Sequence, residues 1–386
     1  MGNVMNSLEQ YNTNIIHLTN ITPIDGRYQN STNELKDYFS EYALMKYRIF
    51  IEIQYLLQLN TTDIFNYRLS PDDKVYINKI YTLFTKLEAL KVKEIEKKTQ
   101  HDVKAIEYYI KEKIEKNEEL KKHKIQNFVH FALTSQDVNS SSYILSIKQS
   151  ITKVIYPNIF SIFNKLLNLS NKWLDIPILT RTHGQPASPS LLGKEILVFI
   201  ERLDNQIDTF KKITYSTKFG GAVGNLNAHH FARGDINWLS FVDDFIENRL
   251  RLKRNKYTTQ IDHYDNYSEI FDCIKRINTI LIDLCQDIWH YISLNYFVLK
   301  INTGEVGSST MPHKVNPINF ENAEGNLLLS NNTLEFLSTK LPKSRLQRDL
   351  TDSTILRNIG VAFSYSLIGY KSLIKGLDKL EINEAK

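Results

Sequence analysis

Between residues 268 and 299 apolar side chains return at the spacing of one helix face: Ile270, Phe271, Ile274, Ile277, Leu281, Leu284, Ile288, Tyr291 and Ile292. A helix of about 30 residues is about 45 Å long. A rod of that length seldom packs inside a small globule, so it commits the chain to an extended bundle. The same periodicity recurs through Leu191, Leu192, Ile196, Phe199, Ile200, Leu203, Ile207 and Phe210. Further helices are expected over 33–60, 74–98, 102–120 and 139–174. A last long one is expected from the cap-forming pair Asp352-Ser353 to about Lys379. The stretch 176–189 reads as a loop, and strand signals are few. The pattern predicts an all-α protein: a smaller N-terminal helical domain over 1–124, then a long central bundle over 125–386.

Composition works by exclusion. The 48 basic and 43 acidic side chains leave a net charge of +5, which suits an anionic small molecule without demanding nucleic acid. The basic run Arg249, Arg251, Lys253, Arg254, Lys256 has no aromatic interleaving and reads as a solvated loop. Cys273 and Cys285 form no CxxC pattern and read as small buried residues in a reducing compartment. No apolar run approaches the ~18 residues of a membrane span, and none resembles a signal peptide, so a soluble, cytoplasmic protein is expected. The string Phe219-Gly220-Gly221-Ala222-Val223-Gly224-Asn225 lacks the spacing of a nucleotide loop and reads as a tight passage of backbone.

The chemistry is densest in Gly304-Glu305-Val306-Gly307-Ser308-Ser309-Thr310-Met311-Pro312-His313-Lys314-Val315-Asn316-Pro317. Glycine and proline disfavour a regular element here, so this is a loop rich in groups that hold anions. Other polar segments lie far apart in the chain: Thr99-Gln100-His101-Asp102, Thr134-Ser135-Gln136-Asp137, Arg181-Thr182-His183-Gly184-Gln185-Pro186, Thr258-Thr259-Gln260-Ile261 and residues 345–357. Each alone is weak. Thr134-Ser135 could simply cap a helix, and an isolated histidine such as His101 is more often structural than catalytic.

Together these strings resemble the adenylosuccinate lyase branch of the fumarase/aspartase superfamily. The 304–317 loop is similar to that superfamily's GSSxMPxKxNP signature, and Thr310 and His313 lean toward this branch. The resemblance runs in matching order from about Pro23 to Asn383. It implies cleavage of a C–N bond by β-elimination, releasing fumarate from adenylosuccinate to leave AMP, and from the succinylated aminoimidazole carboxamide ribotide (SAICAR) to leave AICAR. It further implies a homotetramer whose active sites are shared between subunits, with no metal, no organic cofactor, no nucleic acid and no membrane.

Such an elimination needs a base for a weakly acidic C–H, donors for the charge that builds on the adjacent carboxylate, and an acid for the leaving nitrogen. By the resemblance Ser308 is the base, as an alkoxide stabilised by Lys314 and the glycine-rich backbone. Ser309 is the alternative base, otherwise a substrate-binding residue. His183 is the acid, and Glu321 orients it. Lys314, Asn316, Thr134, Ser135 and Gln260 hold the succinyl carboxylates, with Asn322 beside them. Arg27, Tyr28, Arg348, Ser353 and Arg357 hold the phosphate, for which guanidinium forks are well shaped. His101 and Asp102 line the base side of the nucleotide, where Gln100 replaces the asparagine usual in the subgroup. Argininosuccinate lyase and fumarase are the nearest rivals, but neither substrate carries a phosphate for the Arg348/Ser353/Arg357 set. The chain is expected to stop where the family's C-terminal domain begins, so that this domain is lacking. An inactive scaffold is the remaining rival.

Overall fold

The computed structural model describes residues 18–300 and 315–384; Ser308, Ser309 and Lys314 lie outside the described residues. The first long helix, α1 (Glu41–Leu59), starts where the Ser40 hydroxyl accepts the Ala43 N–H. The helix expected over 74–98 is two: α2 (Pro71–Thr82) and α3 (Lys86–Thr99). The break falls where the Thr85 side chain accepts the Glu88 N–H and caps a fresh helix. α3 ends on Gln100 in the left-handed region, and α4 (Asp102–Ile114) begins at once with the His101 Nδ1 accepting the Lys104 N–H.

α5 (Ser135–Ser150) continues through one wide π turn (Ile151–Ile155) into α6 (Tyr156–Lys172). The expected loop at 176–189 is instead an antiparallel ribbon, β1 (Pro177–Thr182) and β2 (Gln185–Leu191). Proline is disfavoured inside a sheet, but a two-stranded ribbon has only edges, where it is tolerated. His183 and Gly184 form its tip with φ of 52° and 75°, the positive pair of a tight hairpin turn. α7 (Leu192–Lys212) follows, then the short parallel pair β3 (Ser216–Lys218) and β4 (Lys253–Asn255). β4 corrects the solvated-loop reading of the basic run: Arg254 is buried and paired with Asp243 at 2.5 Å, while Arg249 reaches Gln54.

The chain then lays down α8 (Asp265–Ser293), β5 (Phe297–Leu299), α9 (Ile318–Lys340), α10 (Thr351–Leu356), α11 (Ile359–Lys379) and β6 (Leu380–Ile382). α9 is not among the helices expected from the sequence. The helix expected from Asp352-Ser353 is interrupted at Arg357-Asn358, and Asp352 is no cap. It is buried and accepts from the Tyr264 hydroxyl at 2.9 Å.

The joined α5–α6 rod, α7, α8, α9 and α11 pack side by side as the all-α central bundle. The predicted stripe of α8 is buried from Ile270 to Ile288. Glycines let α11 approach closely: a Cβ on Gly369 would lie 2.7 Å from the Leu327 side chain of α9. A buried polar knot sets the register of three helices. Asn278 donates to Ser366 at 3.0 Å and accepts from Tyr370 at 2.6 Å, and Ser330 and Ser366 share a 2.7 Å bond. Being fully satisfied, it specifies one alignment that apolar contacts alone would leave loose. Cys273 and Cys285 are buried and free, as expected. No helix among the described residues is long and apolar enough to cross a membrane.

Candidate active-site cleft

A cleft of about 400 Å³ opens where α1, the start of α4, the start of α5 and α10 converge. Its centre is Asp102, one oxygen of which accepts from Arg48 Nη2 at 2.8 Å and from Arg357 Nη2 at 2.9 Å. Burial alone would raise the Asp102 carboxyl, but Arg48, the Val103 N–H and Arg357 outweigh it and hold it at about 2. It is therefore an anion at any physiological pH. Arg48 is itself tethered, its Nε donating to Asn139 Oδ1 at 2.8 Å.

The opposite wall is a chain of hydrogen bonds. Gln136 donates to Asp352 at 3.1 Å and to Ser353 at 3.3 Å. Arg348 donates to Ser353 Oγ at 2.8 Å and to Gln260 Oε1 at 3.2 Å. Gln260 donates in turn to the Ala222 carbonyl at 3.0 Å. Arg348 Nε is buried and faces the Asp352 carboxylate at 3.8 Å, an ion pair without a hydrogen bond at that atom.

Beneath lies Asp137, fully buried. It accepts from Lys218 Nζ at 2.6 Å, from the Thr134 N–H at 2.8 Å and from the Gly220 N–H at 2.8 Å. Burial pushes this carboxyl up, but Lys218 and the backbone donors prevail and hold it low. The result joins the Thr134-Ser135 turn to the glycine passage. Gly224 makes the passage tight: its φ is +78°, and a Cβ there would meet the Thr258 carbonyl at 2.1 Å. Thr134, Ser135 and Gln260 are thus held in one frame.

Gln100, His101, Asp102, Ser135, Arg348, Ser353 and Arg357 line the cleft. Tyr28 and Asn322 meet each other elsewhere, the asparagine amide donating to the Tyr28 hydroxyl at 3.0 Å, with Arg27 exposed beside them. Asn316 is exposed. Glu321 accepts from the Trp289 indole at 3.1 Å and not from His183, which stands exposed at the hairpin tip away from the cleft lining. Arg48 and Asn139 line the cleft without having been singled out from the sequence, and Gln136, part of the Thr134–Asp137 string, lines it without having been given a role. Arg48 carried a faint signal, as a charge on the face of α1 that also buries Leu44, Met45 and Glu52.

Residues 26–328 match the family described as Lyase, and residues 344–386 match that described as Adenylosuccinate lyase C-terminal. The second match overturns the expectation that the C-terminal part of the family is lacking. The chain is 51% identical over 385 residues to adenylosuccinate lyase of Dictyostelium discoideum, covering 97% of this chain and 81% of that one. It is 46% identical over 368 residues to adenylosuccinate lyase of Escherichia coli (strain K12), covering 95% and 80%. Among solved structures, beta-carboxy-cis,cis-muconate cycloisomerase from Acinetobacter calcoaceticus aligns with a TM-score of 0.71 at 14% identity, over 91% of this chain and 76% of that one. Fumarate lyase from Mesorhizobium aligns with a TM-score of 0.71 at 15% identity, over 91% and 75%. At such identities the likeness is one of fold.

Proposed function

The chain belongs to the adenylosuccinate lyase family, and from that premise we propose how its residues divide the work. The reaction is β-elimination of fumarate from adenylosuccinate, leaving AMP, and from SAICAR, leaving AICAR. In the reading we put forward, Ser308 (or its neighbour Ser309) removes the proton and Lys314 stabilises the alkoxide. Thr134, Ser135, Gln260 and Asn316 bind the succinyl carboxylates as donors that do not titrate. His183 protonates the leaving nitrogen with Glu321 behind it. The observation that carries the phosphate assignment is the cleft itself, where Arg348, Ser353 and Arg357 converge and the Arg357 guanidinium is half exposed. Arg27 and Tyr28 complete that set, and Asn322, whose amide donates to the Tyr28 hydroxyl, binds substrate beside the succinyl group.

We further propose a homotetramer with shared sites. Two features support it. His183 and Glu321 lie apart from the cleft that holds the phosphate set. Large apolar side chains also stand exposed on the bundle helices, among them Leu328, Leu329 and Phe336 on α9 and Phe160 on α6, as on a surface that another subunit covers. We take residues 1–124 as the N-terminal helical domain, the bundle as starting at 125, and the cytoplasm as the site of action. The test is complementation. Mixing inactive His183→Ala and Ser308→Ala proteins after verified subunit exchange restores part of the fumarate release if sites are shared. No recovery refutes sharing.

A further inference from the structure

We propose that Arg48 is a positioning residue that keeps Arg357 available to the substrate's phosphate, with Asp102 standing in for that phosphate while the cleft is empty. The inference rests on the reading of Arg357 as a phosphate ligand. The geometry behind it is an asymmetry. Both guanidinium groups donate to the same Asp102 oxygen, Oδ2, at 2.8 and 2.9 Å. One of them is fixed: the Arg48 side chain is 5% exposed and its second arm is bonded to Asn139 on α5. The other is free to leave: the Arg357 side chain is 52% exposed, at the mouth of the cleft.

Consider what each arginine does to Asp102. Alone with Arg357, the carboxylate would form an ordinary ion pair that an incoming phosphate must break. It would also remain beside the phosphate as an unneutralised like charge. With Arg48 in place, Asp102 keeps a buried counter-charge when Arg357 turns away. The exchange on Arg357 is then one anion for another, and neither Asp102 nor the phosphate is left without a cation. Before binding, the same Asp102 contact holds Arg357 over the cleft and limits the rotamer freedom the ligand must freeze. Arg48 touches no substrate on this account. It acts through Asp102 on Arg357, and its effect is confined to ligands that carry phosphate.

That confinement gives the test. The purified full chain is compared with Arg48→Met, Arg48→Lys, Arg357→Ala and the double variant Arg48→Met/Asp102→Asn. The readouts are KM and kcat for adenylosuccinate and the affinities for AMP and adenosine by calorimetry. Arg48→Met is expected to raise KM about tenfold, the scale of one charge-assisted hydrogen bond, with kcat changed less than about threefold. The ratio of AMP to adenosine affinity falls by a similar factor. Arg48→Lys keeps the charge but loses the fork, and falls between. The double variant removes the stranded carboxylate and restores much of the AMP-to-adenosine ratio; being charge-compensated, it also serves if Arg48→Met alone folds poorly. If AMP and adenosine weaken equally, or kcat falls with KM unchanged, Arg48 is only a structural residue and the inference fails. If the ratio is not recovered in the double variant, the placeholder role of Asp102 fails. If Arg357→Ala leaves the ratio untouched, it is the phosphate reading that is wrong.

Discussion

The buried pair Asp137–Lys218 should be costly to break and cheap to remove whole. Both side chains are fully buried, 2.6 Å apart. Removing one partner of a buried ion pair strands the other and costs roughly 3–5 kcal/mol. The surroundings decide which end of that range applies. In Lys218→Met the carboxylate still accepts from the Thr134, Gly220 and Gly221 N–H groups, so the loss should sit near the bottom. In Asp137→Asn the ammonium loses the carboxylate it is paired with and keeps neutral acceptors such as the Gly221 carbonyl at 2.7 Å, and the loss should sit near the top. The double variant Asp137→Asn/Lys218→Met has no stranded charge and should fall short of the summed single losses by at least about 2 kcal/mol. Urea unfolding of all four proteins gives the cycle. Because the Asp137 carboxyl is held below its ordinary value, its contribution is present above the unfolded-state value and fades as pH falls through the folded one. Single variants each within about 1 kcal/mol of the parent, or a strictly additive double, would refute the reasoning.

Asp102→Asn removes a carboxyl held at about 2. The stability gap to the parent should therefore be full at neutral pH, on the order of 2 kcal/mol, and close as pH falls from about 4 toward 2, as acid-titrated melts would record. Gly224→Ala places a Cβ 2.1 Å from the Thr258 carbonyl at a positive φ; the passage must shift, raising KM through Gln260 and lowering the melting temperature, both read on one preparation. Ser308→Ala should abolish turnover with AMP binding retained, and His183→Ala should lower kcat by about 10²–10⁴, each measured as fumarate release; loss on Ser309→Ala alone would shift the base to that residue.

The bundle was legible because a stripe such as that of α8 is long enough to admit one kind of packing. α9 was not, because its apolar residues are mixed with serine and asparagine that pair inside the bundle, as Ser330 does with Ser366. The hairpin was hidden by prolines whose cost vanishes at an edge. At the cleft, motif residues such as Ser353 and Arg348 were named from local strings and do meet. Arg48 was not named, since its role depends on Asn139, distant in sequence and adjacent only after α1 packs on α5. Single strings carry donors and acceptors, whereas pairings across helices are written in the packing.

The π turn at Ile151–Ile155 makes the first bundle helix a shaft with a phase jump. The Tyr156 N–H bonds to the Ile151 carbonyl, five residues back instead of four. An extra residue is thereby taken up in one turn, and everything beyond is rotated by about 100° relative to an unbroken helix. Ahead of the jump α5 is enclosed nearly all round, with Val138, Ser141, Ile144 and Ile147 all buried. Past it α6 buries a single row, Ile159, Ile162, Leu166 and Ser170, against its bundle neighbours. One helical wheel drawn through both halves would misassign one of them. The turn lets the cleft end and the bundle end of the same rod each choose their own facing. A change of length at this turn would alter that facing while leaving each half's own contacts intact, so the angular alignment of cleft and bundle is set at this joint.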